Sequence, residues 1–360
     1  MPVYDIAVIG AGMAGASLAA AIGPQARVVI LEAEDAPGYH ATGRSAAFWS
    51  ETYGGPDIQP LTTASGPFLE ADGHLSPLGS IHIGRAADEV AVDAFLAEFA
   101  DSDVVLDRID PAALVPGLRA DWTLGVREPS CAYIDVAAVH ARSIAVARAA
   151  GADLVTDAAF LGARRSDGIW TIETRAGALN ARVIVNAAGA WADTVAVRAG
   201  VRPLGLKAYR RTMVQLRTDP GAPEGLPHIA DIAGRFYFKP EPCGRLWLSP
   251  HDETPTDPCD AAPEDIDVAI AIDRFEQVVD WRVDAVERRW AGLRTFAPDR
   301  LPIYGFDPNM AGFFWCAGQG GFGIQTAPAG ALLAASLVLG TAPDPAVAAI
   351  DPARYSAGRF

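Results

Sequence analysis

Residues Asp5–Glu32 read DIAVIGAGMAGASLAAAIGPQARVVILE, and this stretch decides the fold. An apolar run, Asp5–Ile9, leads into Gly10, Gly12 and Gly15. An Ala/Leu-rich helix follows and stops at Gly23-Pro24. A second apolar run, Arg27–Leu31, ends in Glu32. The spacing predicts a complete β-α-β unit. Gly10 permits the tight turn, Gly12 lets backbone approach a pyrophosphate, and Gly15 brings helix and strand together. The helix N-terminus offers N–H groups and a positive dipole end to phosphate. Glu32 stands where an acid hydrogen-bonds a ribose. Three glycines alone are weak evidence for a nucleotide. Here strand, helix, second strand and terminal acid all accompany them.

The rest of the chain extends this unit. Trp170–Thr174 and Ala181–Asn186 read as paired strands around a turn at Gly177. The second runs through Ala187-Ala188-Gly189 into a helix over 191–199. GFFWCAGQGGFGIQTAPAGALLAASLVLG, residues 312–340, repeats the pattern of strand, Gly-rich turn and helix. The nucleotide domain is therefore expected in three pieces: 1–80, 134–202 and 304–360. Residues 81–133 and 203–303 lie between them. The alternation of TMVQLR, RFYFKP and GRLWLSP suits an antiparallel sheet there, placed over the nucleotide domain as substrate-binding domain.

The first unit does not choose between NAD and FAD. The Gly320-Gly321-Phe322-Gly323 turn favours FAD. A second helix N-terminus stabilises negative charge on a reduced flavin and is idle in a simple NAD enzyme. In PGYHATGRSAAFWSETYG, residues 37–54, small residues let backbone pass close to a planar ring, and Arg44 and Ser45 offer donors.

Composition narrows the function classes. The chain has 360 residues, 50% hydrophobic, with a net charge of −15. Such acidity opposes binding to nucleic acid and to anionic membranes. The cysteines, Cys131, Cys243, Cys259 and Cys316, are scattered without metal-ligand spacing, so no metal is expected. No apolar run is long enough to span a bilayer. Reduced thiols suit a cytoplasmic enzyme, with peripheral contact to an inner-membrane acceptor left open.

GAGMAGAS, PGYHATGRSAA, NAAGAWAD, VRPLGL, WAGLRTF and GQGGFGIQT together resemble the D-amino-acid oxidase (DAO) family of FAD enzymes. Within it the sequence is most similar to the branch of bacterial D-arginine dehydrogenases. The resemblance runs from residue 3 to about residue 340. It implies α/β plus α+β architecture. A Rossmann-like FAD domain of the glutathione reductase type 2 class would carry a mixed, mainly antiparallel substrate domain. It implies non-covalent FAD, held by Gly10, Gly12, Ala14, Gly15, Glu32, Ala33, the Ala41–Phe48 loop (Ala41, Thr42, Gly43, Arg44, Ser45, Ala46, Ala47, Phe48), Ala159, Ala188 and Gly189. Gly320, Gly321, Phe322, Gly323, Ile324 and Gln325 would face the flavin.

Arg211 and Arg294 resemble the pair that grips a substrate carboxylate. Tyr53 and Tyr237 resemble their pocket tyrosines, and the Gly321 backbone resembles the acceptor for the substrate amine. A guanidinium fork is chemically suited to a carboxylate. Arg294 sits in an apolar run, where an unpaired charge is costly. Arginine is more commonly a surface ion-pair partner, and Tyr237, between Phe236 and Phe238, also reads as core.

The chain departs from the D-arginine branch at its pocket. Ser80 stands where that branch has a carboxylate, Phe48 where it has a His, and His228 where it has a Met. A cationic side chain would lack a counter-ion, with Glu51 the one nearby substitute. A neutral or apolar amino acid, or a related amine or imino acid, is expected instead. His82 and His228 read as packing or surface residues, since neither is spaced to pair with a carboxylate.

The expected reaction is oxidation of a D-amino acid by hydride transfer from Cα to flavin N5. The imino acid then hydrolyses to keto acid and ammonia. O₂, a quinone or a carrier protein could take the electrons. Oxidation of a secondary amine or 2-hydroxy acid, a non-catalytic flavoprotein subunit and an NAD-dependent dehydrogenase stay open. Cys316, near the Gly-rich turn, is the thiol to watch for a flavin link.

Overall fold

A computed structural model describes residues 3–360. The strand Val3–Ile9, the helix Met13–Ile22 and the strand Val28–Leu31 form the expected unit. Val3–Ile9 pairs in parallel with Val28–Leu31 on one side and Gly177–Asn186 on the other. The helix ends at Gly23, whose φ of 56° would strain a residue with a Cβ. The strand Asp153–Val155 extends the sheet in parallel beyond Val28–Leu31.

Gly177–Asn186 is the junction of this sheet. Its first half pairs antiparallel with Ile169–Thr174, its end in parallel with Phe313–Ala317. Phe160–Ser166 and Ile303–Phe306 complete eight strands. The central strands read as continuous apolar runs because both faces are covered. One face carries the helices Met13–Ile22 and Ala327–Leu339, the other the helix Ala192–Arg198. Phe313, Phe314 and Trp315 are fully buried at 0% exposure, each stabilising by roughly 2–3 kcal/mol.

The second sheet has ten strands. Lys207–Asp219 and Arg282–Phe296 form its long antiparallel centre, followed by Arg245–Ser249 and Tyr237–Glu241. One junction is parallel: His228–Asp231 runs alongside Ser80–Arg85. The helix Asp265–Glu276 packs Val268, Ala271 and Phe275 onto this sheet, an element that the alternating pattern there had concealed. The architecture is thus mixed α/β with several sheets.

Two smaller features set up the cavity between the sheets. Phe48–Trp49 pairs with Ala132–Ile134, which pairs with Leu75–Pro77, in a separate three-stranded sheet. Gln319–Gly320 pairs with Thr295–Phe296, fastening the Gly-rich turn to the edge of the ten-stranded sheet. The following helix begins at Ala327, after a run of turns over 321–326.

Candidate active site

A cavity of about 450 Å³ runs from Gly10, Gly12 and Glu32 to Arg211, Tyr237 and Arg294. At the Glu32 end the backbone is held by side chains. Ala11 N–H donates to Glu32 Oε2 at 2.9 Å, and Glu34 N–H donates to Glu32 Oε1 at 3.1 Å. Met13 N–H donates to Thr42 Oγ1 at 2.9 Å. The Ala11 and Met13 amides of the turn are therefore engaged within the protein, whereas the sequence had offered the N–H groups of this helix start to phosphate. Gly12 remains the opening, because a Cβ there would meet only Thr42 Oγ1 at 3.3 Å. Gly10 and Gly15 serve packing. A Cβ on Gly10 would lie 2.6 Å from the Ala187 carbonyl oxygen, and one on Gly15 would lie 2.0 Å from that of Gly10.

Arg44 reaches the cavity but spends its donors elsewhere. It pairs with Asp260 and donates to the Ala261 carbonyl at 2.8 Å and the Ala291 carbonyl at 3.3 Å. Its carbonyl accepts from Trp290 Nε1 at 3.0 Å. Arg44 thus pins the Ala41–Phe48 loop to the second sheet. Ala14, Ala33, Ala41, Thr42, Ser45, Ala46, Ala47, Phe48, Ala159, Ala188 and Gly189 all line the cavity. Gly43 sits inside the loop turn, its N–H donating to the Gly38 carbonyl at 2.7 Å.

The opposite end is built from side chains. Alternation along Lys207–Asp219 puts Arg211 and Met213 on one face, and Tyr209 pairs with Arg294 on the neighbouring strand. Arg294 donates to the Tyr53 hydroxyl at 2.6 Å and to the Tyr237 hydroxyl at 3.4 Å. The Tyr237 hydroxyl donates to Met213 Sδ at 3.2 Å. Arg211 is buried at 4% exposure. Its Nε donates to the Asp252 carbonyl at 2.7 Å, and another guanidinium nitrogen lies 3.4 Å from Glu253 Oε1. Its third nitrogen is buried with no partner among the described residues. Burial lowers the Arg211 pKa, and the like charge of Arg294 lowers it further. Burial also opposes the charge of Arg294, but Tyr53, Tyr237, Glu253 and Asp252 together outweigh it and the net shift is upward. An anion at this end would relieve both arginines.

Gly321 presses against the same group. A Cβ there would lie 2.4 Å from the Tyr53 hydroxyl and 3.0 Å from an Arg294 nitrogen. Gly320, Gly323, Ile324 and Gln325 line the cavity with it. Phe322 turns away, its ring edge-on to Tyr53 at 5.2 Å and to Phe296 at 5.9 Å. Gln325 is a brace, donating to the Tyr53 carbonyl and to Thr62 Oγ1, both at 2.9 Å.

Ser80 and His228 lie behind the wall rather than on it. Ser80 Oγ is 2.9 Å from His228 Nδ1, and the His228 ring packs on Phe48 at 4.2 Å. Phe48 is the surface the cavity meets. Burial takes His228 well below the ordinary histidine range, and burial takes His82 to about 4. Both are neutral packing residues at pH 7. Glu51 points elsewhere, accepting from Thr63 Oγ1 at 2.6 Å.

Two contributors escaped sequence reasoning. Met213 was within reach, since it lies two residues beyond Arg211 in a strand. Glu128 was not: in VREPS it reads as a solvated turn acid, yet it is fully buried. Cys316 belongs to the core, with burial pushing its thiol up to about 12, and it does not line the cavity.

The family model for FAD dependent oxidoreductases (DAO) matches residues 5–337. Glycine oxidase of Pseudomonas aeruginosa is 29% identical over 208 residues, covering 55% of this chain and 51% of that protein. Human mitochondrial dimethylglycine dehydrogenase is 26% identical over 250 residues, covering 64% of this chain and 29% of that protein. The chain thus spans about half, or less, of these relatives. The crystal structure of glycine oxidase from Geobacillus kaustophilus superposes with a TM-score of 0.84 at 23% identity, covering 100% of both chains. The cofactor is FAD, and the cavity fits it: an open helix start at Gly12, a small-residue wall along Ala41–Ala47 and a cationic far end. The chain belongs to the DAO family of FAD-dependent oxidoreductases.

Proposed function

We propose that this enzyme oxidises a D-amino acid with a neutral or apolar side chain to the imino acid, which water hydrolyses to keto acid and ammonia. The observation that carries the reading is the buried, unpartnered nitrogen of Arg211 beside the tyrosine-capped Arg294. The D configuration rests on the sequence resemblance alone.

Gly10, Gly12, Ala14, Glu32 and the Ala41–Phe48 loop are the residues we assign to FAD, with Gly320–Gln325 at its ring end. Bound FAD supplies the two-electron acceptor for the substrate C–H bond. Arg211 and Arg294 bind the substrate carboxylate, and the forked guanidinium geometry fixes its orientation. Tyr53 and Tyr237 hold the Arg294 fork in place. The Gly321 carbonyl accepts from the substrate amine. Phe48 and Met213 meet the side chain and offer it no counter-charge. His40, Glu32 and Glu34 line the opposite end of the cavity, with His40 3.0 Å from Glu34. Asp252, Glu253 and His251 adjoin the clamp but do not line the cavity, and Asp252 and Glu253 are engaged with Arg211, so no base is assigned among the described residues and the amine binds neutral. The missing counter-charge is also what separates this pocket from the D-arginine branch.

A secondary amine such as an N-methyl amino acid is the second reading, favoured by the likeness to dimethylglycine dehydrogenase. The test is an anaerobic screen of the purified yellow protein. D- and L-amino acids, N-methylglycines and 2-hydroxy acids are added singly, and flavin bleaching is followed. Bleaching by a neutral D-amino acid supports the proposal. Bleaching by D-arginine in preference to neutral substrates, or by none of the compounds, overturns it.

A further inference from the structure

The segment Ser50–Tyr53 leaves the short Phe48–Trp49 strand and delivers Tyr53 to Arg294. It has no ladder of its own, so other parts of the chain must hold it. Gln325 does so from the Gly-rich turn, donating to the Tyr53 carbonyl at 2.9 Å and accepting from Ser50 N–H at 3.3 Å.

Glu128 holds it from the other side. This residue ends the strand Trp122–Glu128 and is fully buried at 0% exposure. Ser50 Oγ donates to it at 2.8 Å, Glu51 N–H at 2.7 Å and Thr52 Oγ1 at 2.7 Å. Among the described residues, no Lys or Arg lies within ion-pair distance of it. A buried carboxylate without a counter-charge is costly. What it uniquely provides is two oxygens that accept from three consecutive residues at once; an amide supplies only one acceptor atom. Burial raises its pKa, while the donors from Thr52, Ser50 and Glu51 pull it back. The net shift is upward, yet three donors aimed at its two oxygens are the pattern that an ionised acid accepts.

Glu128 does not line the cavity, and its hydrogen-bond partners among the described residues include neither Arg294 nor Tyr53. We infer that it is a positioning residue for the carboxylate clamp: acting through Ser50, Glu51 and Thr52, it sets the Tyr53 hydroxyl against Arg294. This inference rests on the reading of Arg294 as the clamp.

Glu128→Gln keeps the volume but turns an NH₂ group toward one of the three donors. The probe is propionate, a small carboxylate without an amine, titrated against the oxidised holoenzyme with flavin absorbance as readout. We expect Glu128→Gln to weaken propionate about tenfold, the scale of one hydrogen bond to a charged group. Tyr53→Phe weakens it similarly. The double variant is within about twofold of Tyr53→Phe alone, because the two act in series. Thr52→Val, which keeps the acid and removes one donor, weakens binding by about threefold.

Losses that multiply in the double variant overturn the inference. So does a Glu128→Gln protein that melts lower or sheds FAD while binding propionate normally, the mark of a merely structural acid. A crystal structure of Glu128→Gln separates this inference from the functional reading. A Tyr53 hydroxyl still bonded to Arg294 overturns the positioning role whatever propionate does. A displaced Tyr53 in a protein whose wild type ignores propionate sustains the positioning role and refutes the carboxylate clamp.

Discussion

The two ends of the cavity are made by different means. The Gly10–Glu32 end is built mainly on one contiguous stretch, with Thr42 and Ala187 set against it, and is shaped by backbone: close approaches at Gly10 and Gly15, and amides capped by Glu32 and Thr42. The clamp end is assembled from five separated places, Tyr53, Arg211, Tyr237, Arg294 and Gly321, and is shaped by side-chain charge. A backbone site depends on conformation, so most substitutions beside it are mild and a few glycines are critical. A charge site depends on individual atoms, so nearly every substitution in it is felt.

The largest effect should come from Arg294→Ala. Removing one partner of a buried, hydrogen-bonded charge pair costs about 2–5 kcal/mol, so kcat/KM should fall by roughly 10²–10³-fold with FAD content unchanged. A normal kcat/KM would dissolve the contrast. Next is Gly321→Ala, whose Cβ cannot share space with the Tyr53 hydroxyl 2.4 Å away. The expected loss is about tenfold or more in kcat/KM, in a protein that still binds FAD. Glu32→Ala tests the other end. It leaves the Ala11 and Glu34 amides without their acceptor, at about 1–3 kcal/mol, so FAD should dissociate about tenfold more readily while KM in FAD-saturated enzyme holds. A change in KM instead would show the ends to be coupled. Phe48→Ala should open the wall toward His228 and Ser80. Relative kcat/KM for bulkier side chains should rise by several-fold, one or two methylenes' worth of fit.

A separate effect, on folding rather than on catalysis, is acid stability. Burial takes His82 to about 4 and His251 to about 3, both below the ordinary 6.5. Between those values and 6.5 the unfolded chain binds more protons than the folded one, so stability is lost as pH falls through that window. The melting temperature should hold near neutrality and decline below about pH 6.5. A flat profile down to pH 4 would show that these imidazoles are not buried in solution.

The same contrast explains what could be read before the structure. The Asp5–Glu32 unit is local: each glycine, helix residue and strand residue constrains its neighbours. The ten-stranded sheet depends on pairings between distant segments. Its parallel contact of Ser80–Arg85 with His228–Asp231 has no signal in either stretch, and its helix Asp265–Glu276 lay hidden among strands. Arg211, Arg294, Tyr53 and Tyr237 came from family resemblance, and the structure brings them to one place. Resemblance placed Ser80 and His228 at the substrate, whereas an intervening aromatic ring, Phe48, sets them a layer back. Glu128 was invisible because its burial is created by residues about 76–78 positions earlier in the chain.

The Gln325 brace has a consequence for how the molecule is made. Its carboxamide joins Tyr53 and Thr62 across 272 and 263 residues. On the ribosome the nucleotide turn, its helix and Glu32 emerge early, and the last partner of the turn, Ala187, follows when about half of the chain has been made. The ring end must wait until nearly all of the polypeptide has been synthesised. FAD captured by a nascent chain would thus be held by its nucleotide half first, and the flavin would be enclosed only when the last tenth of the chain arrives.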